Sequence, residues 1–421
     1  YRIFNTTVNY MKDIRKYIRF VLCFIAITQV YADNDVHTGD VSGIDFSKES
    51  HADSVWVGVT AIDTTFSKKE YYDQETETVL GPTNTNYTNA DFSRANLADS
   101  VFQHAILTNA KFNDAIINGV NFSSSDITKE QFYSTASYKS GNLSRVGLYT
   151  GDYVGWDFSG KNMQNVSFKG SNIENSNFTG TDLRGSNEFN EYYTYDESTG
   201  LGSSIYGYYK IITKNTILSD GKIKDFQMKS ASDSLVVRKY EEDYYYHDGQ
   251  KYVSQTGDIS VKISETDAEI SGGAKLSLEC GASFEITNGK TLTVASDGLV
   301  FISTDLDNST TFKVEDASGL SFEDGAILTI NLEFDASATA AGFYTFTVLS
   351  YADGSAISGL DSFIKNKTLL LTVNGKTFNE NWEYTIENNQ MLITANVPEP
   401  AFIATIFAVM ALGFATYRRR K

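Results

Sequence analysis

Side chains that could catalyse a reaction or bind a metal ion are few in this sequence and widely separated. The four histidines, His37, His51, His104 and His247, show no spacing that would place two of them on one metal ion. Cys280 has no histidine near it in the sequence, and we interpret it as a small buried residue rather than a nucleophile. The sequence therefore predicts a protein that is not an enzyme, with no metal and no cofactor.

Acidic residues leave two alternatives open. The stretch 305–308 could offer oxygen ligands to calcium, although it lacks the ordered ligand spacing of a calcium loop. Paired carboxylates that hydrolyse sugars would come together only in space, so the sequence does not test them. The net charge of −18 disfavours nucleic acid as a partner. No phosphate-binding glycine loop and no nucleophile motif of the Gly-x-Ser-x-Gly type is present.

A repeat of five residues positions most of the large apolar side chains between Tyr87 and Leu183. Every fifth residue is apolar as far as Phe132, and the same spacing resumes at Leu143. Neither 3.6 nor 2 divides this period, so neither an amphipathic helix nor a simple strand explains it. The centres that we predict to form the repeat core are Phe92, Leu97, Phe102, Leu107, Phe112, Ile117, Phe122, Ile127, Leu143, Leu148, Phe158, Met163, Phe168, Ile173, Phe178 and Leu183.

A period of five fits a square coil in which each pentapeptide forms one side. The residue two positions before each centre is usually small, as at Ala90, Ala95 and Ser176, and would share the narrow axis with the centre. Stacked coils would bond backbone to backbone at about 4.8 Å. Residues 85–187 resemble the pentapeptide repeat family, and this resemblance implies a right-handed quadrilateral β-helix. Some members of that family mimic DNA, but the near-balanced charge of this segment does not favour that role.

Three large residues interrupt the small positions of the repeat. Glu130, Trp156 and Lys161 should bulge outwards or face solvent at their corners. The break in the repeat between 128 and 139 has helix-compatible residues. We expect one short helix there, capped by Asp126 or Thr128 and ended by a glycine at position 141.

The segments on either side of the repeat differ from it. We interpret residues 33–84 as an N-terminal cap that covers the first coil. Residues 188–396 contain short alternating strands separated by Gly, Asp, Asn and Ser, which predicts a β-sandwich or an irregular β-solenoid. The stretch 240–252 predicts a tyrosine-rich hairpin with its turn at Asp248 and Gly249.

The N-terminus indicates export. Residues 1–10 precede a methionine and are interpreted as a mis-called upstream extension. Residues 11–32 have a basic start, an apolar core from Phe20 to Val30 and small residues at Val30 and Ala32, as a signal peptide cleaved by signal peptidase would.

The C-terminal segment 397–421 combines a short polar motif, an apolar run and a basic end. The motif is Val397, Pro398, Glu399 and Pro400, and the basic end includes Arg418, Arg419 and Arg420. As a helix, the run between them would be about 25 Å long, slightly less than the roughly 30 Å of a hydrocarbon core. A plain C-terminal membrane anchor is one interpretation of this segment, although it leaves the Pro-Glu-Pro motif unexplained.

The order of these features resembles the PEP-CTERM sorting signal of Gram-negative bacteria. That resemblance implies a transmembrane helix in the inner membrane, processing by an exosortase, and delivery to the cell surface or extracellular matrix. A matrix location would bring the protein into contact with exopolysaccharide.

The sequence as a whole predicts an exported, non-enzymatic, all-β surface or matrix protein. In this interpretation the repeat column is a spacer or interaction surface. The alternative is a polysaccharide-active enzyme or a carbohydrate-binding protein on the same scaffold.

Overall fold

The computed structural model describes residues 36–397, with gaps. The gaps are 48–49, 68–70, 74–77, 82–83, 187–190, 195–204, 209, 242, 248–249, 256–258, 306–309, 316–318, 334–341, 352–356, 361–368 and 378–381. The predicted signal peptide and the residues from Pro398 onwards lie outside the described residues. Among the described helices, none has the length and apolar character needed to cross a membrane.

The chain divides into two compact units. The first unit comprises Tyr1–Ser140, Val146–Gly151 and Tyr246–Gln250, and the second comprises Gly141–Arg145, Asp152–Tyr245 and Lys251–Lys421.

The first unit is built of parallel coils that repeat every four pentapeptides. Backbone bridges join Asn86 to Ile106 and Asp91 to Lys111. The same 20-residue offset relates stacked side chains, as where the Asn109 amide donates to Asn89. Four sides of five residues make one coil, so the predicted pentapeptide β-helix is confirmed.

The coils begin earlier than the sequence predicted. Parallel bridges join Val36 to Val55 and Asp40 to Thr60, and the next coil continues from Val55 to Asp91. Trp56 is fully buried on the axis. Much of the region interpreted as a separate cap is therefore coil itself, because its apolar residues stack in register with the repeat.

Insertions interrupt the coils without destroying their register. The first insertion carries a hairpin of two strands, numbered β2 (Tyr71–Asp73) and β3 (Thr78–Leu80). The coil strand before it, β1 (Thr65–Ser67), pairs in parallel with a coil strand beyond it, β4 (Val101–Phe102). The second insertion contains helix α1 (Lys129–Ser134) and helix α2 (Ala136–Ser140). Beyond it, Asn121 still pairs with Gly147, one coil further along.

The predicted helix at the break in the repeat is present as two short helices. Thr128 is the N-cap of α1, and its hydroxyl accepts from the Gln131 N–H while the Gln131 side chain accepts from the Thr128 N–H. Asp126 instead accepts from the Leu107 N–H and the Thr108 hydroxyl. Gly141 follows α2 with a φ of +87°, a conformation that glycine adopts without strain.

The expectation for the three large residues at small positions is wrong for one of them. Glu130 is exposed and Lys161 is half-buried, but the Trp156 side chain is buried. Its indole packs edge-on against Tyr153 at 4.9 Å. The equivalent residue one coil further on is Ser176, and its hydroxyl oxygen accepts from the Trp156 N–H at 3.2 Å.

The second unit begins with pentapeptide coils and continues as a wider parallel solenoid. Bridges join Asn162 to Asp182, and Asp182 to Ile217 one coil further on. The strands up to the tyrosine-rich hairpin are β5 (Glu191–Thr194), β6 (Ile205–Tyr208), β7 (Thr216–Ile217), β8 (Ile223–Lys224) and β9 (Ser234–Val237). That hairpin consists of β10 (Asp243–His247) and β11 (Gln250–Gln255), as predicted.

Three sheets form the solenoid, and each coil between Val261 and Leu332 contributes one strand to each of them. The strands are β12 (Val261–Ile263), β13 (Ala268–Ile270), β14 (Lys275–Leu278), β15 (Ser283–Ile286), β16 (Leu292–Val294), β17 (Leu299–Thr304), β18 (Thr311–Val314), β19 (Leu320–Phe322), β20 (Ile327–Leu332), β21 (Gly342–Tyr351), β22 (Leu369–Val373), β23 (Lys376–Thr377), β24 (Trp382–Glu387) and β25 (Gln390–Val397). One sheet has the order β23-β22-β20-β17-β14-β9, the second β12-β15-β18-β21-β25-β24 and the third β13-β16-β19.

The inward side chains of these sheets stack in register. Leu235, Leu276, Val300, Leu328 and Leu369 form one buried row. At the last strands of these sheets the pairing becomes antiparallel, since β25 pairs with β21, β24 with β25, and β23 with β22. Of the two folds expected for this region, the β-solenoid is correct and the sandwich is wrong.

Candidate functional surfaces

The predicted repeat centres occupy the axes of the coils. Each of the centres named above is buried, and Ile127 is the most exposed of them, at 8%. The small residues beside them add hydrogen bonds, as where the Thr181 hydroxyl donates to the Phe158 carbonyl at 2.6 Å. Burial of a large apolar side chain stabilises by about 1.5–3 kcal/mol, so these positions maintain the scaffold.

The corners of the coils are β-turns with a left-handed residue. In one such turn the Ala95 N–H donates to the Phe92 carbonyl at 3.1 Å, and Arg94 between them has a φ of +61°. His104 occupies the same position in its own turn, with a φ of +63°. A positive φ at the third turn residue defines a type II turn. We did not predict this position, although Asn, Asp and Gly are common two residues after a centre.

Many acidic residues of the repeat have a structural role. Asp91 directly precedes a centre, and its carboxylate accepts from the Ser93 N–H at 3.0 Å. Asp157 accepts from the Ser159 N–H in the same way. These carboxylates complete the turns, so they are poor candidates for acid–base catalysis.

Two stacked aspartates show an electrostatic conflict in the first unit. Partial burial and then the charge of Asp99 raise the pKa of Asp63 above its usual value. Both residues occupy left-handed turn positions, as does Gly119. A Cβ atom placed on Gly119 would lie 1.8 Å from Oδ1 of Asp99, so the aspartate side chain uses the space that the glycine leaves.

Two of the dispersed histidines come together in the first unit. The ring of His37 stacks on Trp56 at 3.5 Å, and the ring of His51 stacks on Tyr87 at 5.4 Å. Their own centroids are 5.9 Å apart. Stacking within an aromatic cluster explains these positions without a metal ion. In the described ranges, no three His, Cys, Asp or Glu side chains form a group that could hold a metal.

Cys280 has the environment of a protonated thiol. Desolvation raises its pKa to about 12, and the charges of Glu333 and Asp305 act in the same direction against a hydrogen bond with Ser303. The Sγ–Oγ distance to Ser303 is 3.7 Å. Since the thiolate is the nucleophilic form, this cysteine is not activated for catalysis. Residues 306–308 of the possible calcium stretch lie outside the described residues.

A buried ion pair marks the change from pentapeptide coils to the wider solenoid in the second unit. Arg184 and Asp182 are both fully buried, and their side chains form a two-point pair at 2.7 and 3.0 Å. The guanidinium also donates to the carbonyls of Ile259 and Arg238, each at 2.7 Å. Gln164 donates to the second carboxylate oxygen of Asp182 at 2.8 Å.

The segment 238–241 lies on this polar face of the pentapeptide coils. The Gln164 side chain donates to the Lys239 carbonyl, and its oxygen accepts from the Glu241 N–H at 2.7 Å. Arg145 pairs with the Glu241 carboxylate at 2.9 Å. Side chains rather than a backbone ladder therefore join this segment to the coils. Sequence reasoning missed this network, because its members are distant in sequence.

Comparison with known proteins agrees with the repeat geometry. A family model described as pentapeptide repeats matches residues 83–128 and 157–187 in eight copies. Residues 83–128 and 157–187 are therefore pentapeptide repeats, in agreement with the β-helix geometry of the coils. No curated protein matches the chain.

Three solved structures are similar to the chain: two are pentapeptide repeat proteins and one is a fluoroquinolone resistance protein. One is a pentapeptide repeat protein, Rfr23, from the cyanobacterium Cyanothece 51142, with 21% identity over 38% of this chain and 84% of that chain and a TM-score of 0.19. Another is HetL, a pentapeptide repeat protein involved in heterocyst differentiation regulation from Nostoc sp. strain PCC 7120, with 14% identity, 47% and 98% coverage and a TM-score of 0.15. The third is QnrB1, a plasmid-mediated fluoroquinolone resistance protein, with 15% identity, 43% and 92% coverage and a TM-score of 0.12.

Proposed function

We propose that this chain is an exported, non-enzymatic protein of the cell surface or extracellular matrix. Its pentapeptide-repeat β-helix serves as a spacer or interaction surface, and its parallel solenoid as a structural or adhesive module. The observation that carries this proposal is that the side chains of the coils mainly build the coils themselves. Apolar residues fill the axes, and many polar residues complete turns, as Asp91 does for Ser93.

The location rests on the two ends of the sequence. An apolar stretch between Phe20 and Val30 followed by Ala32 has the order of a signal peptide. The Pro398-Glu399-Pro400 motif with its apolar run and basic end has the order of a PEP-CTERM signal. We infer processing by signal peptidase and an exosortase, with transient anchoring in the inner membrane.

Replacement of Pro398, Glu399 and Pro400 by alanine tests the sorting proposal. We expect the variant to remain uncut in the inner membrane, whereas the parent protein appears at the surface with a shortened C-terminus. Fractionation and mass spectrometry of the C-terminal peptide measure both. If the variant keeps the mature C-terminus and location of the parent protein, the sorting proposal is wrong.

The alternative is a polysaccharide-active enzyme on the same scaffold. Incubation of residues 33–397 with a panel of polysaccharides separates the two functions. We expect no new reducing ends and no unsaturated products. Release of either product would replace the non-enzymatic proposal.

A further inference from the structure

The last hairpin of the second unit places β24 at the edge of its sheet. In the part of the chain that the structure describes, β24 pairs with β25 and is the last strand of the six-stranded sheet. Glu387 and Gln390 flank the two-residue turn of this hairpin, Asn388 and Asn389, whose φ angles are +50° and +60°. Positive φ at both turn residues defines a type I′ hairpin, in which the two flanking residues are joined by backbone hydrogen bonds.

This turn determines which backbone groups of β24 face the edge. Hydrogen-bonded and non-hydrogen-bonded pairs alternate along an antiparallel ladder. Because Glu387 is bonded to β25, Thr385 two residues before it is bonded to β25 as well. The N–H and C=O groups of Ile386 and Tyr384 therefore point away from β25, towards the edge. Such a row of backbone donors and acceptors can pair with a further strand.

The two faces of β24 differ in their chemistry. Trp382 and Tyr384 are half-buried on the side that packs against the core, and Ile386 continues this row with 39% of its surface exposed. Glu383 and Glu387 are exposed on the opposite side. A strand added beside β24 would therefore meet apolar and acidic side chains in alternation, because successive side chains of a strand point to opposite faces.

The two glutamates select the kind of strand that fits. Across the ladder Glu383 faces Thr394 and Glu387 faces Gln390, so neither has a cation opposite it on β25. In an antiparallel pairing of two copies centred on Thr385, Glu383 of one copy would face Glu387 of the other. Like charges directly opposite one another destabilise a strand pair, whereas opposite charges stabilise it. The edge thus disfavours a second copy of this chain and favours a basic strand.

We propose that β24 binds an extended peptide of alternating apolar and basic residues, which adds one strand to the sheet. The peptide backbone pairs with the groups of Tyr384 and Ile386 that face the edge. Its apolar side chains lie beside Trp382, Tyr384 and Ile386. Its basic side chains lie four residues apart, beside Glu383 and Glu387. The inference gives a partner class to the adhesive role proposed for the solenoid, and rests on that role only for the occurrence of such a partner. Its failure leaves the sorting experiment unaffected, because that experiment measures the C-terminus.

Fluorescence anisotropy with the full-length protein and labelled peptides tests the proposal. The probe is the capped peptide Val-Lys-Val-Thr-Val-Lys-Val, whose pattern reads the same in both strand directions. We expect binding at least about tenfold weaker when both lysines are replaced by glutamate, and equally weak when the same residues are reordered without alternation. Binding of the probe should also weaken as salt concentration rises. Absence of binding at millimolar peptide would overturn the proposal, and so would equal binding of the three peptides.

Variants locate the binding to the edge of β24. Ile386→Pro removes an N–H that faces the edge and leaves the ladder with β25 intact, so it should weaken binding of the probe at least about tenfold. Ile386→Val is the matched control, since it keeps the N–H, and should lose no more than about fourfold. Circular dichroism establishes that each variant is folded. Equal binding by the two variants would refute the assignment.

A charge variant tests the face that selects the peptide. Glu383→Gln/Glu387→Gln should bind the lysine and glutamate peptides equally, which a structural role of these residues would not explain. This variant also decides the question if Ile386→Pro does not fold, and preserved discrimination would refute the assignment. Sedimentation of the protein without peptide tests the other occupant. A dimer that is lost in Ile386→Pro would assign the edge to a second copy of this chain and overturn the proposal.

Discussion

Replacement of Arg184 by methionine should destabilise the second unit strongly. The guanidinium is fully buried and donates to both carboxylate oxygens of Asp182 and to the carbonyls of Ile259 and Arg238. Methionine keeps much of the length of the side chain but supplies no donor. The variant therefore leaves a buried carboxylate that accepts from the Gln164 amide and from the backbone N–H of residue 184.

The magnitude follows from the groups that lose their partners. Removing one member of a buried ion pair costs about 3–5 kcal/mol. Each carbonyl left without a donor adds about 1–3 kcal/mol unless water reaches it. We therefore expect a loss of at least about 4 kcal/mol in the free energy of unfolding. For a unit of this size, that corresponds to a melting temperature lower by roughly 10 °C.

Thermal and urea unfolding of the variants measure this loss. The double variant Asp182→Asn/Arg184→Met should recover part of it, because a neutral amide costs less to bury than an unpaired carboxylate. Arg94→Met is the matched control, since this arginine is exposed at a coil corner. It should change the free energy of unfolding by no more than about 0.5 kcal/mol. Equal melting of Arg184→Met and Arg94→Met would refute the assigned role of the ion pair.

Three further predictions concern the turns and the thiol. Gly119→Ala should lower the free energy of unfolding in urea more than Gly58→Ala does. Both glycines have a positive φ, which costs alanine about 1–2 kcal/mol. A Cβ atom at position 119 would also clash with Asp99, whereas a Cβ atom at position 58 would lie in open space. Equal losses would contradict this packing. Asp63→Asn should raise the melting temperature at pH 7 and increase the free energy of unfolding by less than about 1 kcal/mol. The reason is that the pKa of this partly buried carboxyl is raised, so its ionised form opposes folding. This gain should shrink as the pH falls towards 3.8, where the wild-type carboxyl also becomes neutral, and a gain that is independent of pH would argue against it. Cys280 should react with iodoacetamide at pH 8 at least about a hundredfold more slowly in the folded protein than in urea, as peptide mass spectrometry can measure, because its pKa is raised to about 12.

The period of the repeat explains why much of this fold could be predicted. Each centre, such as Phe112 or Phe168, is buried by its neighbours one coil away, so the same residue type must recur at a fixed interval. The helix at Thr128 could be predicted for a similar reason, because the residues of a capping box lie within one turn. Local signals of this kind need no knowledge of distant contacts.

Other features depended on contacts between distant residues. The described residues between 36 and 67 belong to the coils because Val55 pairs with Asp91 across an inserted hairpin. Such an insertion interrupts the five-residue period in the sequence. The choice between sandwich and solenoid depended on whether neighbouring strands such as β14 and β17 pair in parallel. Alternation of apolar and polar residues is the same in both folds.

The sequence by itself determined the five-residue coil, its buried centres and the strand-rich character of the segment that follows. These follow from the spacing of apolar residues, which is a property of the chain alone. Only the tertiary structure decided which side chains meet: Arg184 with the Asp182 carboxylate and the Arg238 carbonyl, and His37 with Trp56. The physical reason is that polar groups are buried and paired where coils stack on one another. An insertion changes how far apart two residues are in the sequence, but residues on neighbouring coils remain close in space.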